Sequence, residues 1–282
     1  SNKLLLEQQD AVSEALGYED ADFLMADVAS SARRIAWNID ELCYVIQNAG
    51  LFRLWNFSKK VGDTITRKRK PMSKTFDNES DLSAEKVLRV ALRTAKNKER
   101  FNPELISKLR QTELDIPEPW TSEIRSLFVD LLLTGHDAIP VIETLDQLDL
   151  FVPFLPEWEP ARSKPQRNAY HRFTVDRHLL ETAAEAAKLA DRVERPDLLV
   201  IGALLHDIGK PLPGDHTEIG IKLIQTIGTR MGFSAVDVET LIKMCEHHLL
   251  LPDIATRRDL DDFDTIQTVG NSLKSITTVE LL

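Results

Sequence analysis

A histidine and an aspartate, His206 and Asp207, stand side by side where a long apolar run ends, and Lys210 follows one helical turn later. An imidazole nitrogen and a carboxylate oxygen are both suitable ligands for divalent transition metals. Of the seven histidines in the chain, only His136 lies outside residues 171–248. This concentration of ligand-type side chains predicts a metal-centred hydrolase site around the histidine-aspartate pair.

Four more histidines of this region are candidate partners for the pair. His178, His216 and the adjacent histidines His247 and His248 lie on separate predicted helices, which tertiary packing can bring together. A different interpretation also fits the dipeptide by itself, namely a hydrogen-bonded core pair without a metal. The surroundings of the pair decide between the two interpretations.

The pair is predicted to lie in a helix over residues 197–208 that is apolar on nearly every side. Such a helix is expected at the centre of its domain, buried on all faces. A polar group that is buried there without a partner costs about 2 to 7 kcal/mol. A divalent cation would satisfy both side chains, so the context favours the metal site.

Longer strings of the sequence resemble a known family. The order of His178, the segment 206–210, His216 and the histidine pair is similar to the HD phosphohydrolase superfamily, whose members hold one or two metals in an all-helical domain and cleave phosphoester bonds. More specifically, the chain resembles the HD domain of the bacterial PII uridylyltransferase/uridylyl-removing enzymes. The strings that carry this resemblance are His171–His178, Gly214–Gly220, His247–Asp253, Thr256–Asp259 and, upstream, Leu155–Trp158 and Pro165–Asn168.

The resemblance implies a set of metal ligands for one or two ions, with Asp207 bridging them when two are bound. The family's His-Leu-Leu string favours His248, while superfamily relatives that use the first histidine of such a pair keep His247 as the alternate. Imidazoles with a carboxylate suit manganese, iron, cobalt or zinc better than magnesium. The implied ligands are His178, His206, Asp207, His216 and His248.

Asp207 and Lys210 are the candidate catalytic residues. A bound cation lowers the pKa of water towards about 7, so that hydroxide can attack phosphorus at neutral pH. Lys210 would stabilise the negative charge that develops on the phosphoryl oxygens. The alternative for Lys210 is a cation that complements the dipole at a helix C-terminus.

The composition predicts a cytoplasmic protein. The chain has 282 residues and a net charge of -10, which argues against nucleic acid as a partner. The basic run Arg67–Lys70 is predicted to be a solvated loop. Cys43 and Cys245 lack metal-ligand or redox spacing and are predicted to be reduced thiols. The longest apolar run, Leu198–Leu205, is too short to span a membrane, so we expect no membrane association.

Three-and-four spacing of apolar residues predicts helices throughout the chain, with no convincing strand. Pro103 is predicted to open one helix, and Thr174 to cap another. Four prolines between residues 153 and 165 mark a junction. The predicted organisation is all-α, with a helical region at 1–160 followed by an HD-type metal-binding domain at 161–282.

By the resemblance, residues 1 to about 160 look like the helical region that follows the transferase core in the family. Nothing in the sequence fits that core's Gly-Ser turn and spaced DxD carboxylates, so we expect this chain not to transfer nucleotides. The start at Ser1 is typical of a boundary inside a longer protein. The aspartate that closes the family's metal site is expected shortly beyond Leu282.

These features together predict a metal-dependent phosphodiesterase that removes UMP or AMP from the nucleotidylated PII signalling protein. Two other functions stay open. A free-nucleotide HD phosphohydrolase would need basic residues around a triphosphate pocket, and beside Lys210 the sequence offers only Arg172 and Arg177. A non-catalytic HD interaction module would need no metal at all.

Overall fold

The computed structural model is helical nearly throughout the part of the chain that it describes, which confirms the predicted all-α class. Its one strand pairing joins Lys70–Pro71 in parallel to Glu99–Arg100, within the described residues. None of the described helices has the length and apolar character needed to cross a bilayer. The described residues are 4–48, 70–71, 82–166, 173–259 and 261–282.

The helices of the first half begin with polar caps. Ser83, Asn102 and Thr121 each accept a hydrogen bond from a backbone amide of the first turn that follows, which satisfies a donor without an intrahelical partner. Pro103 opens its helix, as predicted. The helices are α1 (Leu6–Leu16), α2 (Ala21–Asn48), α3 (Ala84–Lys96), α4 (Pro103–Leu109), α5 (Ser122–Leu133) and α6 (Ile139–Gln147).

The second half carries the ligand-type residues. Its first helix begins after Thr174, which occupies the cap position, but the threonine side chain makes no capping hydrogen bond. Asp176 accepts the backbone amide of Arg177 there instead, at 2.8 Å. The helices are α7 (Val175–Ala187), α8 (Pro196–Leu205), α9 (His216–Arg230), α10 (Ala235–His247), α11 (Leu250–Arg257), α12 (Phe263–Leu273) and α13 (Ile276–Leu281).

Helix α8 is the central buried helix, as its composition predicts, and it contacts α5, α7 and α10. It ends at Leu205, three residues before the predicted end. Tight turns follow, in which the amides of Ile208 and Lys210 donate to the carbonyls of Leu205 and Asp207, each at 3.0 Å. His206 and Asp207 therefore lie in a turn at the helix end.

One continuous hydrophobic core joins the two halves. It includes residues from α3 and α5 as well as from α7, α8 and α10. Phe128, Phe151, Phe154 and Trp158 form an aromatic group within it, with ring centroids 5.1 to 6.4 Å apart. Helix α5 thus packs directly on α7 and α8, and α6 packs on α7. The division at residue 160 stays a prediction.

A buried ionic network attaches α2 to the rest of the chain. Arg33 contacts the carboxylates of Glu143, Asp146 and Asp176, with its Nη2 2.7 Å from Asp146 and its Nη1 2.9 Å from Asp176. Arg162 reaches Asp146 from the other side, at 3.3 Å. We call these five residues the Arg33 cluster. A cavity of about 680 Å³ lies beside it, next to α2.

Candidate metal centre

Four helices deliver their ligand-type side chains to one place. His178 lies on α7, His216 is the first residue of α9, and His248 directly follows α10. His206 and Asp207 join them from the end of α8. The structure therefore brings together all five residues that the sequence predicts as ligands, in two overlapping groups that share Asp207. We call these five residues the Asp207 cluster.

The first group consists of His178, His206 and one carboxylate oxygen of Asp207. The two Nε2 atoms are 3.1 Å apart, and Oδ2 of Asp207 lies 3.4 Å from His178 Nε2 and 3.1 Å from His206 Nε2. An ion held about 2.0 to 2.2 Å from each donor would separate neighbouring donors by about 3.0 to 3.5 Å. The three atoms thus have the spacing of ligands on a common metal.

The second group consists of Asp207, His216 and His248, whose donor atoms all lie within 4.8 Å of one another. His248 Nε2 is 3.7 Å from Oδ1 of Asp207, which is the oxygen that the first group does not use. The two oxygens of Asp207 therefore face different groups of imidazoles. This is the placement that a bridging carboxylate between two ions requires.

Hydrogen bonds to backbone carbonyls orient two of the imidazoles. Nδ1 of His206 lies 2.8 Å from the carbonyl oxygen of Ala203, and Nδ1 of His248 lies 2.7 Å from that of Cys245. A carbonyl only accepts, so Nδ1 carries a proton and Nε2 is the ring nitrogen that faces the cluster. Burial also lowers the pKa of His248, although the hydrogen bond to the carbonyl of Cys245 acts in the opposite direction. The lowered pKa favours the neutral ring.

Asp207 is the most buried member, with a side-chain exposure of 3%. Among the described residues, its Oδ1 is buried without a hydrogen-bond partner, while Oδ2 lies 2.6 Å from Nζ of Lys210. Burial disfavours the charged carboxylate, but contacts with His178, His206 and Lys210 outweigh it and lower the pKa of Asp207 well below its usual range. An ionised carboxylate with an unsatisfied oxygen is well suited to bind a cation.

Among the described residues, two histidines lie outside the cluster. His247, the predicted alternate, points away from Asp207, and its Nε2 is 3.7 Å from Oε2 of Glu246. His136 contacts the carboxylates of Glu181 and Glu185, each at 3.2 Å, at the surface. The geometry thus places His248 with the other candidates and leaves His247 out.

A glycine lets the turn at the end of α8 approach α9. A Cβ atom on Gly209 would lie 2.1 Å from the carbonyl oxygen of His216 and 2.7 Å from the amide nitrogen of Gly220, which are both backbone atoms that cannot move aside. This close contact holds the turn with Asp207 against the helix that begins with His216.

A residue without a predicted role, Gln166, also reaches the site. Its Oε1 lies 3.3 Å from Nζ of Lys210, and its Nε2 donates to the carbonyl of Phe173 at 3.2 Å. The neighbouring residues 167–172, among them Arg172, lie outside the described residues, as do 49–69 with most of the basic run. Gln166 occurs in one of the strings that carry the family resemblance, but no spacing rule connects it to Lys210.

Comparison with known proteins agrees with this geometry. Residues 175–275, which contain the whole Asp207 cluster, match the family described as HD domain. Bifunctional uridylyltransferase/uridylyl-removing enzymes from Mycobacterium tuberculosis H37Rv and Streptomyces coelicolor are 39% and 37% identical to the chain, over 96% and 100% of it. The enzyme of the same description from Corynebacterium glutamicum is 34% identical over 51% of the chain.

The chain is shorter than these relatives. It covers 34% of the Mycobacterium tuberculosis enzyme and 36% of the Streptomyces coelicolor enzyme. The similarity extends through the N-terminal helices, which lie outside the residues that match the HD domain. The chain therefore spans about a third of the length of the curated relatives that it matches.

Proposed function

This chain belongs to the family of the bifunctional uridylyltransferase/uridylyl-removing enzymes, and we propose that its HD domain removes UMP or AMP from a tyrosine of the nucleotidylated PII signalling protein. The uridylyl-removing activity in the names of the relatives and their HD domain support this reaction. The proposed location is the cytoplasm, where Cys43 and Cys245 would stay reduced, as their free thiols in the structure allow.

The observation that carries the proposal is the donor set around Asp207. Its two oxygens face two groups of imidazoles, and one of these oxygens is buried without a hydrogen bond from any residue that the structure describes. Buried polar atoms are nearly always satisfied, so an unsatisfied oxygen among imidazole lone pairs indicates an ion-binding site. We propose His178, His206, Asp207, His216 and His248 as the ligands of one or two ions, with manganese, iron, cobalt or zinc favoured over magnesium.

The chain's own residues then have distinct tasks in phosphodiester hydrolysis. A bound divalent ion supplies Lewis acidity and a water of lowered pKa. The carbonyls of Ala203 and Cys245 hold His206 and His248 with Nε2 directed at the ligand site. Lys210 places a positive charge beside Asp207, where it stabilises negative charge on the phosphoryl oxygens of a substrate. A tyrosine phenolate, with a conjugate acid of pKa about 10, leaves with little need for protonation.

A metal and product assay tests this function. The purified chain is equilibrated with Mn²⁺, bound metal is measured by elemental analysis, and release of UMP or AMP from nucleotidylated PII is followed by chromatography. We expect one or two bound ions and metal-dependent release of the monophosphate. His206→Ala and Asp207→Ala should lose both, whereas His136→Ala, which changes a histidine outside the cluster, should keep both.

The alternative functions predict different results in the same assay. Faster hydrolysis of free deoxynucleoside triphosphates than of modified PII would identify a free-nucleotide phosphohydrolase. A folded chain that binds no Mn²⁺ would favour an interaction module. Equal metal content in the parent, His206→Ala and Asp207→Ala proteins would show that the ligand assignment is wrong.

A further inference from the structure

The position of Lys210 presents a conflict with metal binding. Its Nζ lies 2.6 Å from Oδ2 of Asp207, and the same oxygen faces the Nε2 atoms of His178 and His206. A divalent ion in the first group of ligands would bind this oxygen and repel the ammonium group. The ion therefore weakens the contact that holds Lys210 beside the site. Without another acceptor close by, the flexible lysine side chain would turn towards solvent.

Gln166 provides such an acceptor. Its Oε1 lies 3.3 Å from Nζ of Lys210. The amide cannot turn over freely, because its Nε2 donates to the carbonyl oxygen of Phe173 at 3.2 Å, and a carbonyl accepts only from the NH₂ side. The oxygen of the amide is therefore directed at the ammonium group. As a neutral acceptor, it also adds no negative charge that would compete for the ion.

We propose that Gln166 is a positioning residue that keeps Lys210 beside Asp207 when a divalent ion occupies the site. The ammonium group exchanges part of its contact with Asp207 for Gln166, and it stays within reach of the phosphoryl oxygens of a bound substrate. Gln166 acts through Lys210 and touches neither the ion nor the reacting atoms. The proposal rests on the proposed function for the substrate, but the retention of Lys210 can be tested without one.

The direct test is the chemical reactivity of Lys210. Reductive methylation of the Mn²⁺-loaded chain is followed by mass spectrometry of the peptide that contains Lys210, in the parent and in Gln166→Met, which keeps the side-chain length but removes both hydrogen bonds. We expect Lys210 to react about 5 to 10 times faster in the variant, since a lysine released to solvent is a better nucleophile than one held by acceptors. The exposed Lys188 serves as the internal reference.

The second test is a double-mutant cycle of Gln166 and Lys210 in steady-state kinetics, with nucleotidylated PII and bis(p-nitrophenyl) phosphate as substrates. Gln166→Met should lower kcat about 10-fold with little change in KM or in Mn²⁺ affinity. In a Lys210→Met background the same substitution should change kcat less than about 2-fold, because residues that act through one contact are not additive. Gln166→Asn, whose amide is one methylene too short to reach both partners, should behave like Gln166→Met.

The outcomes separate this proposal from the proposed function. If the parent binds Mn²⁺ but hydrolyses neither substrate, the proposed function fails, and the methylation rates still decide the role of Gln166. Equal methylation of Lys210 in the parent and in both variants would overturn the proposal. So would an equal loss of kcat from Gln166→Met with and without Lys210, or a loss of Mn²⁺ affinity, since each points to a structural role.

Discussion

The Asp207 cluster and the Arg33 cluster both place ionised side chains in largely buried positions, but they consist of different kinds of residue. In the Arg33 cluster, two guanidinium groups lie among three carboxylates, and the carboxylate oxygens of Asp146 are 2.7 and 3.3 Å from guanidinium nitrogens. In the Asp207 cluster, one carboxylate lies among imidazoles and beside Lys210, and Nε2 of His248 is 3.7 Å from its Oδ1.

This difference shows how a buried ionic group indicates its function. Arginine is always charged and presents only donors, so it neutralises carboxylates within the chain itself. Contacts with three carboxylates raise the pKa of Arg33 further, against the effect of burial, so its charge is permanent. Neutral histidine offers a lone pair and no charge, and a carboxylate surrounded by histidines gains full compensation only from a cation. The first cluster stabilises the fold, and the second is suited to bind a metal.

The largest effect should follow from removing the central cation of the Arg33 cluster. Arg33→Met would leave Asp146 and Asp176 buried without their main counter-charge, and breaking a buried ion pair from one side costs about 3 to 5 kcal/mol. Urea denaturation should show this loss of unfolding free energy equally with and without Mn²⁺. The matched control is Arg89→Met, because Arg89 pairs with Glu123 on the surface, where a pair is worth about 0 to 1 kcal/mol.

For substitution of Asp207, unlike that of Arg33, we expect the effect on the unfolding free energy to depend on Mn²⁺. In the parent, Mn²⁺ at 100 times its Kd should raise the unfolding free energy by about 2.7 kcal/mol, because the ion binds only the folded state. Asp207→Asn keeps the shape but removes the charge that both ligand groups share, so this gain should disappear. Asp253→Asn, at an exposed carboxylate, should retain it. A full Mn²⁺-induced gain in Asp207→Asn would remove the contrast between the two clusters.

The adjacent histidines give a finer test. His248→Ala should weaken Mn²⁺ binding about 10 to 100-fold, a range that loss of supporting contacts alone already reaches in metal sites. His247→Ala should change it less than about 2-fold, since its Nε2 faces Glu246 and not Asp207. Calorimetric titration of both variants measures the difference. The reverse order of affinities would make His247 the ligand.

The sequence predicted the Asp207 cluster because each member has a ligand-type side chain that can be recognised from the sequence of its own helix. Ligand-type residues at the ends of amphipathic or apolar helices can be recognised one helix at a time, and the family resemblance indicated which of two neighbours to prefer. The structure places His248, and not His247, in a group with Asp207, because successive helical residues point about 100° apart and only one of the pair can face Asp207. The end of α8 was predicted three residues too late, because an apolar pattern continues through Ile208 although the backbone has already tightened into turns.

The Arg33 cluster and the role of Gln166 could not be predicted in the same way. Arg33 is separated from Glu143 by 110 residues and from Asp176 by 143, and in the sequence it is one of two adjacent arginines within a long helix. The contact between Gln166 and Lys210 spans 44 residues and a loop. Such pairings depend on tertiary packing, and no periodicity or motif in the local sequence encodes them.

The smallest effect is expected at Asp146, where the cost of burial and the ionic contacts nearly balance. Burial raises the pKa of Asp146 above its ordinary value of 3.8, and Arg33 and Arg162 offset only part of this effect. A raised pKa in the folded state means that this carboxyl contributes most to stability when protonated, and that the contribution is lost as the pH rises through the folded pKa. Above the folded pKa the ionised group is therefore held at a net cost. Asp146→Asn should change the unfolding free energy by less than about 1 kcal/mol at pH 7, in contrast to Arg33→Met, because Arg33 keeps Glu143 and Asp176 as partners.

The pH dependence of stability shows whether the cost of burial and the ionic contacts of Asp146 balance, or whether the position simply tolerates substitution. The Asn side chain does not titrate, so Asp146→Asn should gain stability relative to the parent as the pH rises from about 4, close to the ordinary pKa of 3.8, to pH 7. Urea denaturation of both proteins at the two pH values measures this change, and the exposed variant Asp253→Asn, which should show no such gain, is the control. A loss of about 3 kcal/mol or more in Asp146→Asn at pH 7, or a relative gain towards pH 4 instead, would mean that the ionised carboxylate stabilises the fold. The Arg33 cluster would then depend on each of its charges as strongly as we expect Mn²⁺ binding to depend on Asp207.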